Sequence, residues 1–261
     1  VGHRVNRIDL GADGATRTLP FEAYQPIRWL ALSPDGLLLL AVDEKGGAVL
    51  LNTARGAEVA RFTFKAEVTA VAFSPDNRLL AATVGPRVQL WRAPSAERRV
   101  YTAFSLVGTM GGHSDRINYL EWSPDSRYIL TAGDDLSARI FRIDLLEDPP
   151  VGKSRKFTPI ALTAHKHAVL GAYFLGDGER ILTIGRDGAA FEWRFNQQEG
   201  RLITAPGEAI QHLLHLTKDA PYQTSTGGDA TFRPWIADVR FNRELGMLVV
   251  GYANGSFGLF K

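Results

Sequence analysis

The stretch HSDRINYLEWSPDSRYILTAGDDLSARIFRI, residues 113–143, contains three short apolar runs separated by two polar turns. The first and third runs alternate apolar and polar residues, which indicates strands with one buried face. The middle run is apolar almost throughout, as expected of a strand that packs on both faces. Pro124 suits the second position of a type I turn, because its ring fixes φ at about −65°. The stretch therefore predicts three antiparallel strands joined by tight turns.

The same pattern occurs five times along the chain. The turn sequences that anchor it are spaced 41, 49, 52 and 67 residues apart: SPDG at 33–36, SPDN at 74–77, SPDS at 123–126, LGDG at 175–178 and NREL at 242–245. A period of about 40–45 residues, with four short strands per repeat, is typical of β-propeller blades. We therefore predict an all-β fold, a β-propeller with about five to six recognisable blades of four-stranded antiparallel sheet.

We interpret residues 1–261 as one propeller domain within a longer protein. Residues 195–234 do not follow the repeat, and their polar sequence, rich in Gly, Thr and Pro, indicates an irregular insertion or a gap in the repeat. Within them we expect a fourth strand near residues 201–203 and a short helix in GEAIQHLLHL at 207–216. The long connections at 93–111 and 144–164 are predicted to be loops that serve as docking surfaces.

Composition restricts the function without assigning it. Lys and Arg number 30 against 28 Asp and Glu, a net charge of +2, whereas dedicated nucleic-acid binders usually carry a stronger basic excess. The chain has no cysteine, which excludes disulfides and thiolate metal sites and fits the cytosol or nucleus. No apolar run approaches the roughly 18 residues of a transmembrane helix.

Motifs for catalysis are missing from the sequence. It contains no GxxxxGK[ST] phosphate loop, no HExxH and no GxSxG. Residues expected on the innermost strands, such as Leu30, Ala70 and Tyr119, provide no set of acidic or metal-binding groups. His212 and His215 have the spacing of a helical metal pair but lack a nearby carboxylate, which favours ordinary surface residues. We therefore predict no enzyme activity, no metal and no cofactor.

Two basic clusters are candidates for contacts with RNA or with a protein partner. Arg98 and Arg99 lie in the connection after the second repeat, and Lys153, Arg155 and Lys156 lie in the connection after the third. Such side chains neutralise phosphates on a folded RNA. The alternative is a pair of solvated loops that keep the protein soluble.

The third and fourth repeats resemble WD40 repeats. In WD40 blades a His before the first strand, a Ser or Thr on the second, an Asp in the next turn and a Trp on the third form a buried hydrogen-bonded tetrad. The matching residues are His113, Thr131 and Asp135 in the third repeat and His165, Thr183, Asp187 and Trp193 in the fourth. The resemblance implies a structural rather than a catalytic role for them, since buried polar groups must be paired. The pattern is eroded in the first two repeats, and Phe141 replaces the Trp in the third.

Longer strings resemble one WD40 family, the periodic tryptophan protein 2 family. The most diagnostic are VDEKGG at 42–47 and GYANGSFGLF at 251–260, because neither is the sequence that WD40 repeats usually have at that site. The resemblance implies most of a seven-bladed N-terminal propeller, with a second propeller and a helical C-terminal region outside this chain. It implies a non-catalytic subunit of the UTP-B complex in the small-subunit processome, located in the nucleolus of the nucleus.

The resemblance also implies partners. They are the other propeller subunits of UTP-B, the 5′ external transcribed spacer of pre-rRNA and the U3 small nucleolar ribonucleoprotein, with no membrane and no small-molecule substrate. The expected outcome is the processing of pre-rRNA and maturation of 18S rRNA in ribosome biogenesis.

A different class of function stays open. A WD40 adaptor within another nuclear complex binds a short peptide in its central channel, and this requires Arg or aromatic residues at the channel mouth. A propeller hydrolase or lyase is a third class, for which the sequence shows no polar channel. Association with pre-rRNA favours the scaffold, whereas selection of one linear peptide motif favours the adaptor.

Overall fold

Every regular element that the computed structural model describes is a β-strand. The structure describes residues 4–8, 16–22, 25–94, 104–143, 158–176, 178–205, 208–212, 236–243, 245–253, 255 and 257–260. No helix long and apolar enough to cross a membrane occurs within these ranges. The described residues up to Gly111 form one compact unit, and those from Gly112 onward form a second.

The first unit contains a hairpin and two four-stranded antiparallel sheets. The hairpin pairs β1 (Arg4–Ile8) with β2 (Thr16–Glu22). The first sheet is β3 (Ile27–Leu32), β4 (Leu38–Asp43), β5 (Gly47–Asn52) and β6 (Ala57–Thr63). The second sheet is β7 (Val68–Phe73), β8 (Leu79–Val84), β9 (Arg87–Arg92) and β10 (Ser105–Met110). In both sheets each strand pairs with its neighbour in sequence, as in a propeller blade.

The second unit contains three further antiparallel sheets. The third sheet is β11 (Ile117–Trp122), β12 (Tyr128–Gly133), β13 (Ala138–Arg142) and β14 (Ile160–Leu162). The fourth sheet is β15 (Val169–Leu175), β16 (Arg180–Gly185), β17 (Ala190–Asn196), β18 (Arg201–Leu202) and β19 (Ile210–His212). The fifth sheet is β20 (Ile236–Asn242), β21 (Met247–Tyr252) and β22 (Phe257–Phe260).

The Ser-Pro-Asp turns join the first and second strands of the first three sheets. In each turn the N–H of the fourth residue donates to the serine carbonyl, at 2.8–3.0 Å, as a type I turn requires. The fourth residue then takes a positive φ of 60–71°, at Gly36, Asn77 and Ser126. The serine hydroxyl donates to the aspartate carboxylate two residues on, at 2.5–2.6 Å, and fixes the turn from within.

Each of the five sheets has a register shift at the same place. The pairing of the first strand with the second skips one residue directly after the first pair, which is the signature of a β-bulge. The skipped residues are Arg28, Thr69, Asn118, Leu170 and Ala237. The repeat is thus conserved in backbone geometry as well as in strand order.

The cores lie between successive sheets inside each unit. One cluster joins the first and second sheets, one joins the third and fourth, and one joins the fourth and fifth. The second strands of the first four sheets are largely buried on both faces, most completely β12, as their apolar sequences predicted, whereas burial alternates along β21. Each fully buried Leu, such as Leu40 or Leu80, contributes roughly 2 kcal/mol through removal of apolar surface from water.

Two expectations about the connections need correction, and a third is confirmed. Within 207–216, residues 210–212 form strand β19 rather than a helix, because the edge of β17 offers free backbone groups at Ala190, Phe191 and Glu192. The fourth strand expected near residues 201–203 is confirmed as β18, which pairs with the other end of β17, so that β18 and β19 both lie on the edge of β17. The connections at 93–111 and 144–164 contain β10 and β14, which pair with the third strands of their sheets.

Candidate functional site

The third sheet holds a buried network around His113. His113 precedes β11, and its Nδ1 lies 2.9 Å from Asp135 Oδ1 while its Nε2 lies 2.8 Å from Thr131 Oγ1. Because a carboxylate only accepts, Nδ1 carries the proton, and Nε2 accepts from the Thr131 hydroxyl. The tautomer of the ring is therefore determined by its two partners.

Asp135 is the most connected residue of this network. The side chain is 3% exposed, and its Oδ1 accepts from the Ser137 hydroxyl at 2.8 Å while its Oδ2 accepts from the Ser114 N–H at 3.1 Å. Arg139 Nη2 approaches the same carboxylate at 3.4 Å. Burial raises the pKa of Asp135, but the hydrogen bonds from His113 and Ser137 more than offset this and lower it from its ordinary value.

The fourth sheet contains the matching network with a different arrangement. His165 Nε2 lies 2.8 Å from Thr183 Oγ1, and Trp193 Nε1 donates to the same oxygen at 2.9 Å. The Thr183 hydroxyl also lies 3.4 Å from the Phe191 carbonyl, to which it can donate. His165 Nδ1 has no hydrogen-bond partner, although it is buried.

Asp187 lies on the Nδ1 side of His165 without bonding to it. Its Oδ1 accepts from the Ala189 N–H at 3.1 Å and closes the turn between β16 and β17. Of the four predicted residues, His165, Thr183 and Trp193 are therefore joined by hydrogen bonds, and the carboxylate of Asp187 lies beside them. Burial lowers the pKa of His165 to about 4, since the charge of Asp187 opposes the loss of solvent only in part.

Two glycines make room for these networks. A Cβ on Gly133 would lie 2.9 Å from His113 Nδ1, and a Cβ on Gly185 would lie 2.8 Å from His165 Nδ1. Any larger residue at either position would separate the histidine from the carboxylate. Both glycines end the second strand of their sheet, so the pattern Thr-x-Gly-x-Asp is a steric requirement of the network.

The second sheet shows why the network is lost there. Thr131 and Thr183 each pair with the second residue that follows the bulge in the first strand of their sheet. In the second sheet the residue in that position is Ala82, which has no hydroxyl. Trp91, which corresponds to Trp193, consequently has a buried Nε1 with no acceptor. It packs instead among aromatic rings, stacked on Phe104 with centroids 5.0 Å apart and tilted against Phe62 at 4.9 Å.

The remaining sequence-predicted residues divide into two groups. Arg98, Arg99, Lys153, Arg155 and Lys156 lie outside the described residues. Ser114, Ser137 and Arg139, which the sequence analysis did not select, complete the network of Asp135. Among the residues that the structure describes, no three His, Asp or Glu side chains group in a way that would hold a metal.

Comparison with known proteins agrees with this architecture. The family model for the WD domain, G-beta repeat, matches residues 58–92 and 104–142, which contain the strands from β6 to β13 except for Ala57, the first residue of β6. The first matched segment begins in β6, the outer strand of the first sheet, and continues through β7, β8 and β9. The second begins one residue before β10, the outer strand of the second sheet, and continues through β11, β12 and β13.

Most or all of this chain is similar to proteins named periodic tryptophan protein 2 or its homolog. The Schizosaccharomyces pombe homolog is 36% identical over 268 residues, covering 100% of this chain and 29% of the relative. The Arabidopsis thaliana protein is 37% identical over 207 residues, covering 77% and 22%, and the Mus musculus homolog is 30% identical over 230 residues, covering 88% and 24%. The chain spans less than a third of the length of these curated relatives. Because the similarity extends over the whole chain and the sheets have WD40 character, the chain belongs to the periodic tryptophan protein 2 family.

Proposed function

We propose that this chain is part of a non-catalytic scaffold subunit of the UTP-B complex in the small-subunit processome, where it supports pre-rRNA processing and 18S rRNA maturation. The observation that carries the proposal is the similarity of the entire chain to proteins named periodic tryptophan protein 2. A fold class alone hosts many functions, so the proposal depends on this family rather than on the sheets.

The chemistry of the buried networks supports a structural role. His113 and His165 are the residues that catalysis would recruit, yet both are buried and both direct Nε2 at a threonine hydroxyl of their own sheet. Burial lowers the pKa of both rings, so both are neutral at physiological pH. Groups of this kind specify one arrangement of each sheet and are not available to a substrate.

The proposed partners are the other propeller subunits of UTP-B, the 5′ external transcribed spacer and the U3 small nucleolar ribonucleoprotein, and the proposed location is the nucleolus. Rigid antiparallel sheets present loops and edges to several partners at once. Modest contacts on one large particle add through effective concentration, so a net charge of only +2 is compatible with a place in an RNA particle. Arg98, Arg99, Lys153, Arg155 and Lys156 are proposed as the RNA or partner contacts.

The test is ultraviolet crosslinking of the tagged full-length protein in cells, with sequencing of the attached RNA and identification of copurifying proteins. We expect reads on the 5′ external transcribed spacer or U3, and copurification of UTP-B subunits. Alanine substitution of the five proposed basic residues reduces the reads if those residues contact RNA. A matched control removes five exposed basic residues elsewhere: Lys45, Arg55, Lys65, Arg78 and Arg87.

The outcomes separate the classes of function. Loss of reads in the first variant but not in the control assigns the contact to the basic clusters. Reads that persist in both variants assign it to other parts of the protein. A protein that is abundant but yields neither precursor reads nor UTP-B subunits contradicts the scaffold, and enrichment of a single linear motif on a peptide array then supports the adaptor.

A further inference from the structure

A buried carboxylate links three neighbouring strands in the second unit. Glu121 lies on β11, and its side chain is 17% exposed. Its Oε1 accepts from Arg243 Nη2, its Oε2 accepts from the Tyr119 hydroxyl at 3.3 Å, and it also accepts the backbone N–H of Phe174 on β15. Arg243 directly follows β20. A single carboxylate therefore contacts the first strand of the third sheet, the first strand of the fourth sheet, and the residue after the first strand of the fifth sheet.

Aromatic contacts run along the same strands. The Tyr119 and Tyr173 rings lie with centroids 4.9 Å apart, and the Tyr173 and Phe241 rings with centroids 5.7 Å apart. The Tyr173 hydroxyl donates to the Val239 carbonyl on β20 at 2.7 Å. The third, fourth and fifth sheets are therefore joined by one continuous set of polar and aromatic contacts.

The fold itself does not require this carboxylate. Glu121 pairs with Leu130 in the register of the third sheet, and the corresponding residues of the first and second sheets are Ala31 and Ala72. Those sheets form without any acid at this position.

Within the described part of the chain, the charged and titratable groups that face this site are few. Tyr119 lies on the same strand, Tyr173 on β15, and Arg240, paired with Asp238 at 3.0 Å, on β20. Burial raises the pKa of both tyrosines above the ordinary value, so they remain neutral donors. Arg243, which the carboxylate contacts directly, completes the set.

We propose that Glu121 is a proton-dependent joint that holds the fifth sheet against the third and fourth sheets. The joint is intramolecular and does not depend on the proposed function. Desolvation raises the pKa of Glu121 from 4.5 to about 7, although Arg243, Tyr119 and the Phe174 N–H oppose the shift. The docked state therefore binds the proton more tightly than an opened state in which the carboxylate meets water.

The sign of the effect follows from this difference. Docking is strongest below about pH 4.5, where the carboxyl is protonated in both states, and weakens as the pH rises toward 7. A single proton changes the opening constant by at most tenfold per pH unit, and the dependence ends above about pH 7. An ordinary surface ion pair would show the opposite sign, because acid would remove its negative partner.

The test is amide hydrogen exchange of the full-length protein followed by mass spectrometry at pH 5, 6, 7 and 8, with each rate divided by the intrinsic rate. Peptides from β20, β21 and β22 report on docking, and peptides from β3 to β6 are the internal reference. We expect corrected exchange of the fifth sheet to accelerate by up to tenfold per unit from pH 5 to 7 and to level off above, and we expect E121Q to abolish this slope.

Two further variants keep the result interpretable if E121Q does not fold. R243Q removes the positive charge that opposes the shift, so the midpoint of the dependence, which is the pH halfway between its start and the point where it levels off, moves upward. R201Q removes an exposed arginine paired with Glu199 and leaves this midpoint unchanged. The proposal is overturned if the slope persists in E121Q, if it has the opposite sign, or if R243Q leaves the midpoint where it was.

Discussion

Replacement of Asp135 by alanine tests the structural interpretation of the buried networks most directly. The change removes a carboxylate that accepts from His113 Nδ1, the Ser137 hydroxyl and the Ser114 N–H. The side chain of His113 is fully buried, so its Nδ1 hydrogen would have no acceptor. Leaving a buried donor unpaired costs about 1–3 kcal/mol, and each lost hydrogen bond at the turn adds about 1 kcal/mol. We expect a loss of about 3–5 kcal/mol in the free energy of unfolding.

The fourth sheet supplies the matched control. Asp187 accepts from the Ala189 N–H, but it makes no hydrogen bond to His165, whose Nδ1 already lacks a partner. Asp187→Ala therefore removes one turn bond and a favourable charge, at a cost of about 1 kcal/mol. The two substitutions are chemically identical, and the structure alone makes them differ by about 2 kcal/mol or more.

The measurement is urea unfolding at pH 7, supported by thermal unfolding of the same variants. For a protein of this size, 1 kcal/mol corresponds to a shift of about 2–4 °C in Tm, so Asp135→Ala is expected to melt about 10 °C below the parent protein. Equal losses for the two variants would refute the reasoning, because they would mean that the His113–Asp135 contact contributes nothing beyond the turn.

Three further predictions concern substitutions at other positions, and a fourth concerns pH. Leu136→Gly is expected to stabilise the protein by about 1 kcal/mol in urea unfolding, because Leu136 has a φ of 64° that favours glycine; a loss of stability would show that its side chain contributes to packing. Gly133→Ala is expected to cost about 2–3 kcal/mol, since its Cβ would lie 2.9 Å from a ring nitrogen, and an unchanged Tm would show that the network can move aside. Trp193→Phe is expected to cost about 1–2 kcal/mol more than Trp91→Phe, because only the first removes a bonded indole N–H; equal costs would contradict the assignment. Because the pKa of His165 falls from 6.5 to about 4, its contribution is complete above about pH 6.5 and is lost as the pH falls toward 4, by roughly 3 kcal/mol in total. Glu121 has the opposite pH dependence over this range, so the measurement is made in E121Q, where urea midpoints that do not decrease between pH 7 and 4.5 would exclude the effect.

The strands themselves were predictable because local patterns determine them. Alternating runs, uniformly apolar runs and Ser-Pro-Asp turns each specify one element, and the first three strands of every sheet lie where the patterns predict them. The fourth strands were harder, because β14, β18 and β19 are edge strands of only two or three residues. Pairing with a preformed neighbour determines them, and only the fold supplies that neighbour.

The networks were predictable as sets of residues but not as geometries. The resemblance selects His165 and Asp187 together, whereas the structure leaves them without a hydrogen bond. The contact of Glu121 with Arg243 spans 122 positions of sequence. No periodicity connects residues so far apart, and an isolated Glu on an alternating strand has the pattern of a solvated residue. Such contacts depend on how sheets pack, which a single sequence does not express.

The repeated β-bulge has a consequence for how this family can vary. At the skipped position the five sheets carry a guanidinium, a hydroxyl, an amide, an isobutyl group and a methyl group, on Arg28, Thr69, Asn118, Leu170 and Ala237. The skipped residue has no residue directly opposite it in the ladder, although its side chain can still contact the adjacent strand, as Thr69 does with Thr83 at 2.6 Å. Substitution there can change the chemistry of one blade while its ladder keeps the same register. Each of the five sheets thus has one position where a different side chain can be placed without a slip of the strands.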